Sequence, residues 1–180
     1  HCSFEKNHCE DALNLINCQF KMSNCHVNST YADGFDADFC TGEIDHSIIE
    51  NTGNDGLDFS GSKITVRHSE IKNPGDKAIS GGERSTVSVQ HCSIFKAPLA
   101  IVAKDESNIS VENVKFDECK IVFAACQKKD EYGPAIINST GSIETHCGSV
   151  HLIDIGSTII IDENKKVGTQ KLNIDSLYYQ

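Results

Sequence analysis

The chain aligns with itself at an offset of about 22 residues, and this repeat restricts the fold more than any other feature. "EDALNL" at 10, "ADGFDA" at 32, "NDGLDF" at 54, "DKAISG" at 76 and "PLAIVA" at 98 are successive copies. "SKITVRHSEI" at 62, "STVSVQHCSI" at 85 and "SNISVENVKF" at 107 form a second series, in which one extra residue shifts the register once. Apolar residues recur at three fixed places. Leu13, Phe35, Leu57, Ile79, Ile101 and Phe123 make one column, Met22, Ile44, Val66, Val89 and Val111 a second, and Val27, Ile49, Ile71, Ile94 and Phe116 a third.

Within each copy, apolar and polar residues alternate over short runs broken by Gly, Asn or Pro. That is the period of strands with one buried face, and the runs are too short for helices. Three short strands cannot bury their own apolar side chains. Coils stacked at about 4.8 Å can, because identical positions then form internal ladders. The expected fold is all-β: a right-handed single-stranded parallel β-helix of about 22 residues per coil and six to seven coils. A β-sandwich would need hairpin turns and no such long-range register. The whole of 1–180 reads as one domain, with regular coils over 1–126, an insertion loop over 127–149, and a last coil and C-terminal cap over 150–180. Its tail, "KLNIDSLYYQ", is expected to cover the open end of the rod. Because the first residues already belong to the repeat, the chain is expected to be a fragment of a longer protein.

Charge narrows the partners. Sixteen basic residues against 26 acidic ones give a net charge of −10, which opposes phosphate backbones and anionic membrane surfaces, so no nucleic acid is expected. No run approaches the roughly 18 apolar residues that cross a bilayer, so membrane insertion is not expected. The nine cysteines contain no CxxC pair and their number is odd, which announces neither a zinc cluster nor a complete disulfide framework. Asn28, Asn108 and Asn138 open N-x-S/T sequons, which matter only in a eukaryotic secretory protein.

Strand alternation turns Leu57 and Phe59 inward, and so turns Asp58 and Ser60 outward. In register the outward column reads Asn14, Asp36, Asp58, Ser80, with Asp38 and Ser60 beside it, while Asp11, Asp33 and Asp55 stack at the preceding turn. Asp36, Asp38 and Asp58 on neighbouring coils can converge on Ca2+, which prefers several oxygen ligands. Asp36 and Asp58 also suit the acid/base pair of a glycosidase, in which repulsion raises one pKa. With Asn14 and Ser60 they form the expected ligand-binding set. The turn acids have a simpler use, since Asp before Gly hydrogen-bonds to nearby backbone. Lys104 lies two coils from Asp58, about 10 Å at the backbone, and is expected to be a poor base for it. Glu83, Arg84 and Asp105 are expected to form a solvated ladder of charges.

A further column reads His1, Asn24, His46, His68, His91, Asn113 at a tight turn. Its expected task is hydrogen bonding between stacked coils, with metal capture by His46, His68 and His91 as the other use of adjacent imidazoles. The residue after each, Cys2, Cys25, Ser47, Ser69, Cys92 or Val114, is expected to pack inward. Cys2 with Cys25 and Cys18 with Cys40 lie on adjacent coils within reach of a disulfide, though in-register side chains are poorly oriented for one.

"NCHVNSTYADGFD", "HSIIENTGNDGLD" and "HSEIKNPGDKAIS" resemble the right-handed parallel β-helix repeats of the pectate-lyase-like superfamily, and also the NosD-type and carbohydrate-binding/sugar-hydrolase repeats. The resemblance covers roughly residues 1–126. It implies the fold, and it implies one of several roles: polysaccharide lyase, polygalacturonase, epimerase, tailspike or non-enzymatic surface protein. "DGFDADF" is similar to the Asp-containing motif of mannuronan epimerases, but the aromatic and His partners of that motif are unmatched, and no catalytic residue carries over. The resulting expectation is a β-helix domain of a larger extracellular or cell-surface protein, presenting an acidic face to a polysaccharide or glycan, to Ca2+, or to both, with no required cofactor. One alternative is a polysaccharide lyase, epimerase or glycoside hydrolase acting through Asp36 and Asp58. The other is a purely structural or self-assembling rod that stacks end to end or continues into further coils.

Overall fold

The computed structural model describes residues 1–173. The described chain is all strand and turn, wound into about seven coils of three strands. Every third strand joins the same sheet, and one last antiparallel strand extends one of the three, giving two sheets of seven strands and one of eight. The three apolar columns are in register. Phe35 pairs with Leu57, then Ile79, Ile101 and Phe123. Met22 leads through Ile44, Val66 and Val89 to Val111, and Val27 through Ile49, Ile71 and Ile94 to Phe116. From the second coil onward these side chains are essentially sealed from solvent, and burying each one fully stabilises the fold by about 1.5–3 kcal/mol.

The corners explain why so few glycines suffice. Each corner uses a left-handed residue, and the sequence fills most of these positions with Asn, His or other side chains: Asn24, His46, His68, His91 and Asn113 all have φ between 46° and 54°. Asn and His are enriched in this region because a short polar side chain can satisfy the local backbone. At another corner Asn73 donates to Asn51, and Asn51 to Asn28, at 3.0 and 3.1 Å. Just inside the corners the small residues link the coils. Ser69 Oγ accepts from Ser47 N at 3.1 Å, and Ser47 Oγ from Cys25 N at 3.2 Å. The inward ladder is thus partly one of hydrogen-bonded hydroxyls. Cys18 and Cys40 are free thiols with sulfurs 3.6 Å apart.

The one-residue shift has a definite place. Ser60 pairs with Gly82 at an offset of 22, whereas Lys63 pairs with Thr86 at an offset of 23. The corner held by Gly61 alone in one coil is held in the next by two left-handed residues, Glu83 and Arg84.

The insertion expected over 127–149 is shorter than the sequence suggests. Ile136–Thr140 and Ile143–Thr145 continue their sheets in register, so the main excursion is confined to 127–135, with a lesser one before Leu152–Ile153. The strand pattern fades at that level because the inward positions become polar. Glu144 pairs with Phe116, and His151 lies with its ring 5.3 Å from that of Phe123. Beyond it, Thr158–Ile161 pairs antiparallel with Asn164–Val167, and this hairpin places exposed Lys165 and Lys166 on the edge of the eight-stranded sheet. Charged side chains of this kind blunt a sheet edge. Of the tail expected to cover the end, residues 174–180 lie outside the described residues. Lys171 and the amide of Leu172 bind the buried carboxylate of Asp154.

Candidate functional site

The predicted acidic face lies on the sheet formed by Asn14–Ile16, Phe35–Asp38, Leu57–Ser60, Lys77–Gly82, Leu99–Lys104, Ile121–Cys126 and Leu152–Ile153. Phe35, Ala37, Leu57 and Phe59 fill the core, so alternation turns Asp36, Asp38, Asp58 and Ser60 outward, where each is partly exposed. Register places Asn14, Asp36, Asp58 and Ser80 in one row, and Ile16, Asp38, Ser60 and Gly82 in the next. The five expected ligand residues therefore do share one surface. Ser80, however, is fully buried. From Lys77–Gly82 onward both faces of the sheet are covered, and the outward row continues as the apolar cluster of Val102, Ala124 and Leu152. The acidic face is consequently a ledge on the first three coils that ends at a covered step.

The turn acids are architectural. Asp33 Oδ1 accepts from Asp55 N at 2.8 Å and from Asn54 at 2.7 Å. Asp55 Oδ1 accepts from the Lys77 amide and the Lys77 ammonium, both at 3.1 Å, in a pair that is almost wholly buried. Burial pushes the Asp55 carboxyl up, and the Lys77 ammonium opposes this.

The ledge acids are under a different strain. Burial, followed by the charges of Asp38, Asp58, Asp11 and Asp33, pushes Asp36 up to about 7. Burial, Glu83, Asp58 and Asp11 raise Asp38, against a small opposing effect of Lys129. Asn14 Nδ2 donates to Asp36 Oδ2 at 2.9 Å, steering one carboxyl without supplying charge.

Lys104 reaches Asp58 although its backbone lies where the register placed it, two coils away. Its ammonium lies 3.7 Å from Asp58 Oδ1. The coil between has Gly82 beside Lys104, and the lysine stem packs over that glycine, a Cβ there being 3.4 Å from Lys104 Cε, an ordinary contact distance. Burial works against the Lys104 ammonium, but Asp58 and Asp55 outweigh it and raise its pKa. The expected solvated ladder at the neighbouring corner is corrected. Asp105 is buried and accepts from the amides of Lys128 and Lys129 at 2.6 and 2.8 Å, while Lys129 pairs with Glu83 and Arg84 with Glu106. Asp105 thereby pins residues 127–135 beside the far edge of the ledge.

Two aromatic residues escaped the sequence reading. Tyr31 and Phe39 flank Asp33–Asp38 on the same coil and are 71% and 65% exposed. Phe39 occupies a left-handed corner position with φ 52°, and its ring lies over Gly61, where a Cβ would stand 2.6 Å from Phe39 Cδ1. The signal was an aromatic residue at a corner whose neighbouring copies carry Asn17 and Gly61.

Asp36, Asp38 and Asp58 do not bring three ligand atoms together. Among the described residues, the set that does is Asp45, His46 and His68, on a different corner.

Because Asp36 takes up its proton well above the unfolded carboxyl value of about 3.9, folding is favoured by the protonated form. Its contribution is greatest at acid pH and is lost as pH rises from about 4 to about 7. Asp36→Asn should therefore raise stability above neutrality by ~1 kcal/mol, a figure discounted for the group's partial exposure, and leave it unchanged near the unfolded carboxyl pKa. Urea unfolding at the two pH extremes checks this, and an equal effect at both would contradict it.

The family model for the right handed beta helix region matches residues 11–167. Neither the curated proteins nor the solved structures contain a match to the chain.

Proposed function

We propose, for a chain that belongs to the right-handed β-helix family, that the ledge of Asn14, Asp36, Asp38, Asp58 and Ser60 binds a neutral glycan. The observation that carries this reading is a row of partly exposed hydrogen-bonding groups on and beside a strand whose two flanking corners carry the exposed residues Tyr31 and Phe39. Sugar rings offer hydroxyls to carboxylates and C–H faces to aromatic rings, so such a surface meets both halves of their chemistry. The Asp58–Lys104 ion pair holds one carboxylate in a fixed position, which lowers the entropic cost of engaging a flexible ligand. A uronic-acid polymer fits less well, because its carboxylates would approach a net charge of −10 and a ledge whose nearby lysine is already paired. Ca2+ bridging is a competing reading for the same acids, and titration with and without chelator separates it.

A second reading rests on Asp36 and Asp58. A carboxyl that keeps its proton to about 7, next in register to an ion-paired carboxylate, is the combination from which a glycoside hydrolase draws its acid and its base or nucleophile.

The test is binding to immobilised neutral and uronic polysaccharides, with product analysis in the same samples. The wild-type protein should bind a neutral glycan saturably. Asp58→Asn and Phe39→Asn should each weaken that binding about 10- to 100-fold, the worth of one charge-assisted hydrogen bond or one ring platform, with folding intact by circular dichroism. Asparagine is chosen at 39 because the same corner holds Asn17 in the preceding coil. Turnover lost in Asp36→Asn would move the conclusion to the hydrolase, and failure to retain any neutral glycan would end the binding reading.

A further inference from the structure

The corner at Asn24, His46, His68, His91 and Asn113 does more than turn the chain. Its flanking Asn24 and Asn113 have φ of 54° and 52°, so this conformation needs no imidazole. Yet three successive coils place an imidazole there, and their rings stack. His46 and His68 lie 4.8 Å apart, and His68 and His91 lie 5.6 Å apart with their planes within 6°.

The residue before each histidine decides what the stack can hold. In register these are Asp45, Arg67 and Gln90, so an acid stands at one level only. Nδ1 of His46 is 2.8 Å and Nδ1 of His68 is 3.1 Å from the same oxygen, Asp45 Oδ1. All three donor atoms lie within 4.8 Å of one another. In a tetrahedral Zn2+ site with metal–ligand distances near 2.1 Å, neighbouring donors are about 3.4 Å apart. The two acid–imidazole pairs are within a few tenths of an ångström of that spacing, and rotation of the two exposed imidazoles, whose donor atoms lie within 4.8 Å, would bring in the third edge. Arg67 does not occupy this point: its guanidinium pairs with Glu43 and lies 3.4 Å from the other Asp45 oxygen, Oδ2. The Asp45 side chain is 15% exposed, while His46 and His68 are 59% and 43% exposed, so an anchored carboxylate meets two accessible imidazoles and solvent can complete the coordination.

We propose that Asp45, His46 and His68 form a site for a divalent first-row transition ion such as Zn2+. Two imidazoles and one carboxylate suit such an ion and do not suit Ca2+, which takes oxygen ligands. The site is separate from the glycan ledge and stands or falls independently of it. His91 stacks on the set without an acid at its own level and lies outside it.

The test titrates the full chain with Zn2+ alone by calorimetry, above the ordinary imidazole pKa of about 6.5. The corner itself supplies fold-preserving variants, since it already accepts asparagine. One ion per chain should bind the wild-type protein and raise its melting temperature. His46→Asn, His68→Asn and Asp45→Asn should each abolish both effects, and His91→Asn should keep them. No saturable binding by the wild-type protein would overturn the proposal. So would binding that survives in His46→Asn and His68→Asn, as capture by the exposed thiols of Cys2 and Cys9 would give. Loss in His91→Asn as well would overturn the three-residue donor set.

Discussion

Phe59→Ala is expected to lower the free energy of unfolding by about 3–5 kcal/mol, measured by urea denaturation. Phe59 is fully buried, and its ring meets that of Phe35 edge-on at 6.3 Å between centroids. Two features place the loss high in this range. Backbone hydrogen bonds hold the coils above and below at fixed spacing, so they cannot collapse into the space left behind. Each coil also contacts only its neighbours, so no distant element can move in to compensate. A loss below about 1 kcal/mol would mean that the interior is plastic, contrary to the sealed columns on which the fold rests.

Asp55→Ala is expected to cost about 3 kcal/mol for a different reason. It removes one acceptor of the buried Lys77 ammonium, and with it the acceptor of the Lys77 amide. Breaking a buried ion pair costs about 3–5 kcal/mol, and the low end applies because Asp76 still contacts the lysine. The double variant Asp55→Ala/Lys77→Met separates charge from packing. It should recover most of the loss, because removing both members of a buried pair is often close to neutral. If the double variant is as unstable as Asp55→Ala, the carboxylate acts through the turn backbone rather than through the lysine.

These two positions also show how far the sequence could be read. The inward columns were legible because alternation and the 22-residue offset are both periodic, and the register follows once every coil repeats the same turn. Asp36, Asp38, Asp58, Asn14 and Ser60 came out on one ledge for the same reason. What escaped depends on departures from the repeat. Backbone distance places Lys104 two coils from Asp58, yet its long side chain, packed over Gly82, spans them. Phe39 and Tyr31 sit at corners, where the strand pattern carries no information about direction. Asp105 looked like one more surface charge until the excursion at 127–135 folded back onto it. The pairing of His46 and His68 with one oxygen of Asp45 could not be read from spacing alone, because it depends on side-chain rotation at a left-handed residue.

Glu144 and His151 take positions in the last coil that every earlier coil gives to an apolar side chain. Burial already raises the Glu144 carboxyl, and burial together with the charge of Lys166 lowers the His151 imidazole. A further coil laid directly on this level would have to enclose both groups away from water. The two ends of the described solenoid are thus chemically unequal. One end offers Phe4, Leu13 and Phe20 to whatever stacks upon it, while the other repels an identical layer. Stacking of further copies of this coil on the described solenoid would therefore have a direction, set by side chains in the inward columns.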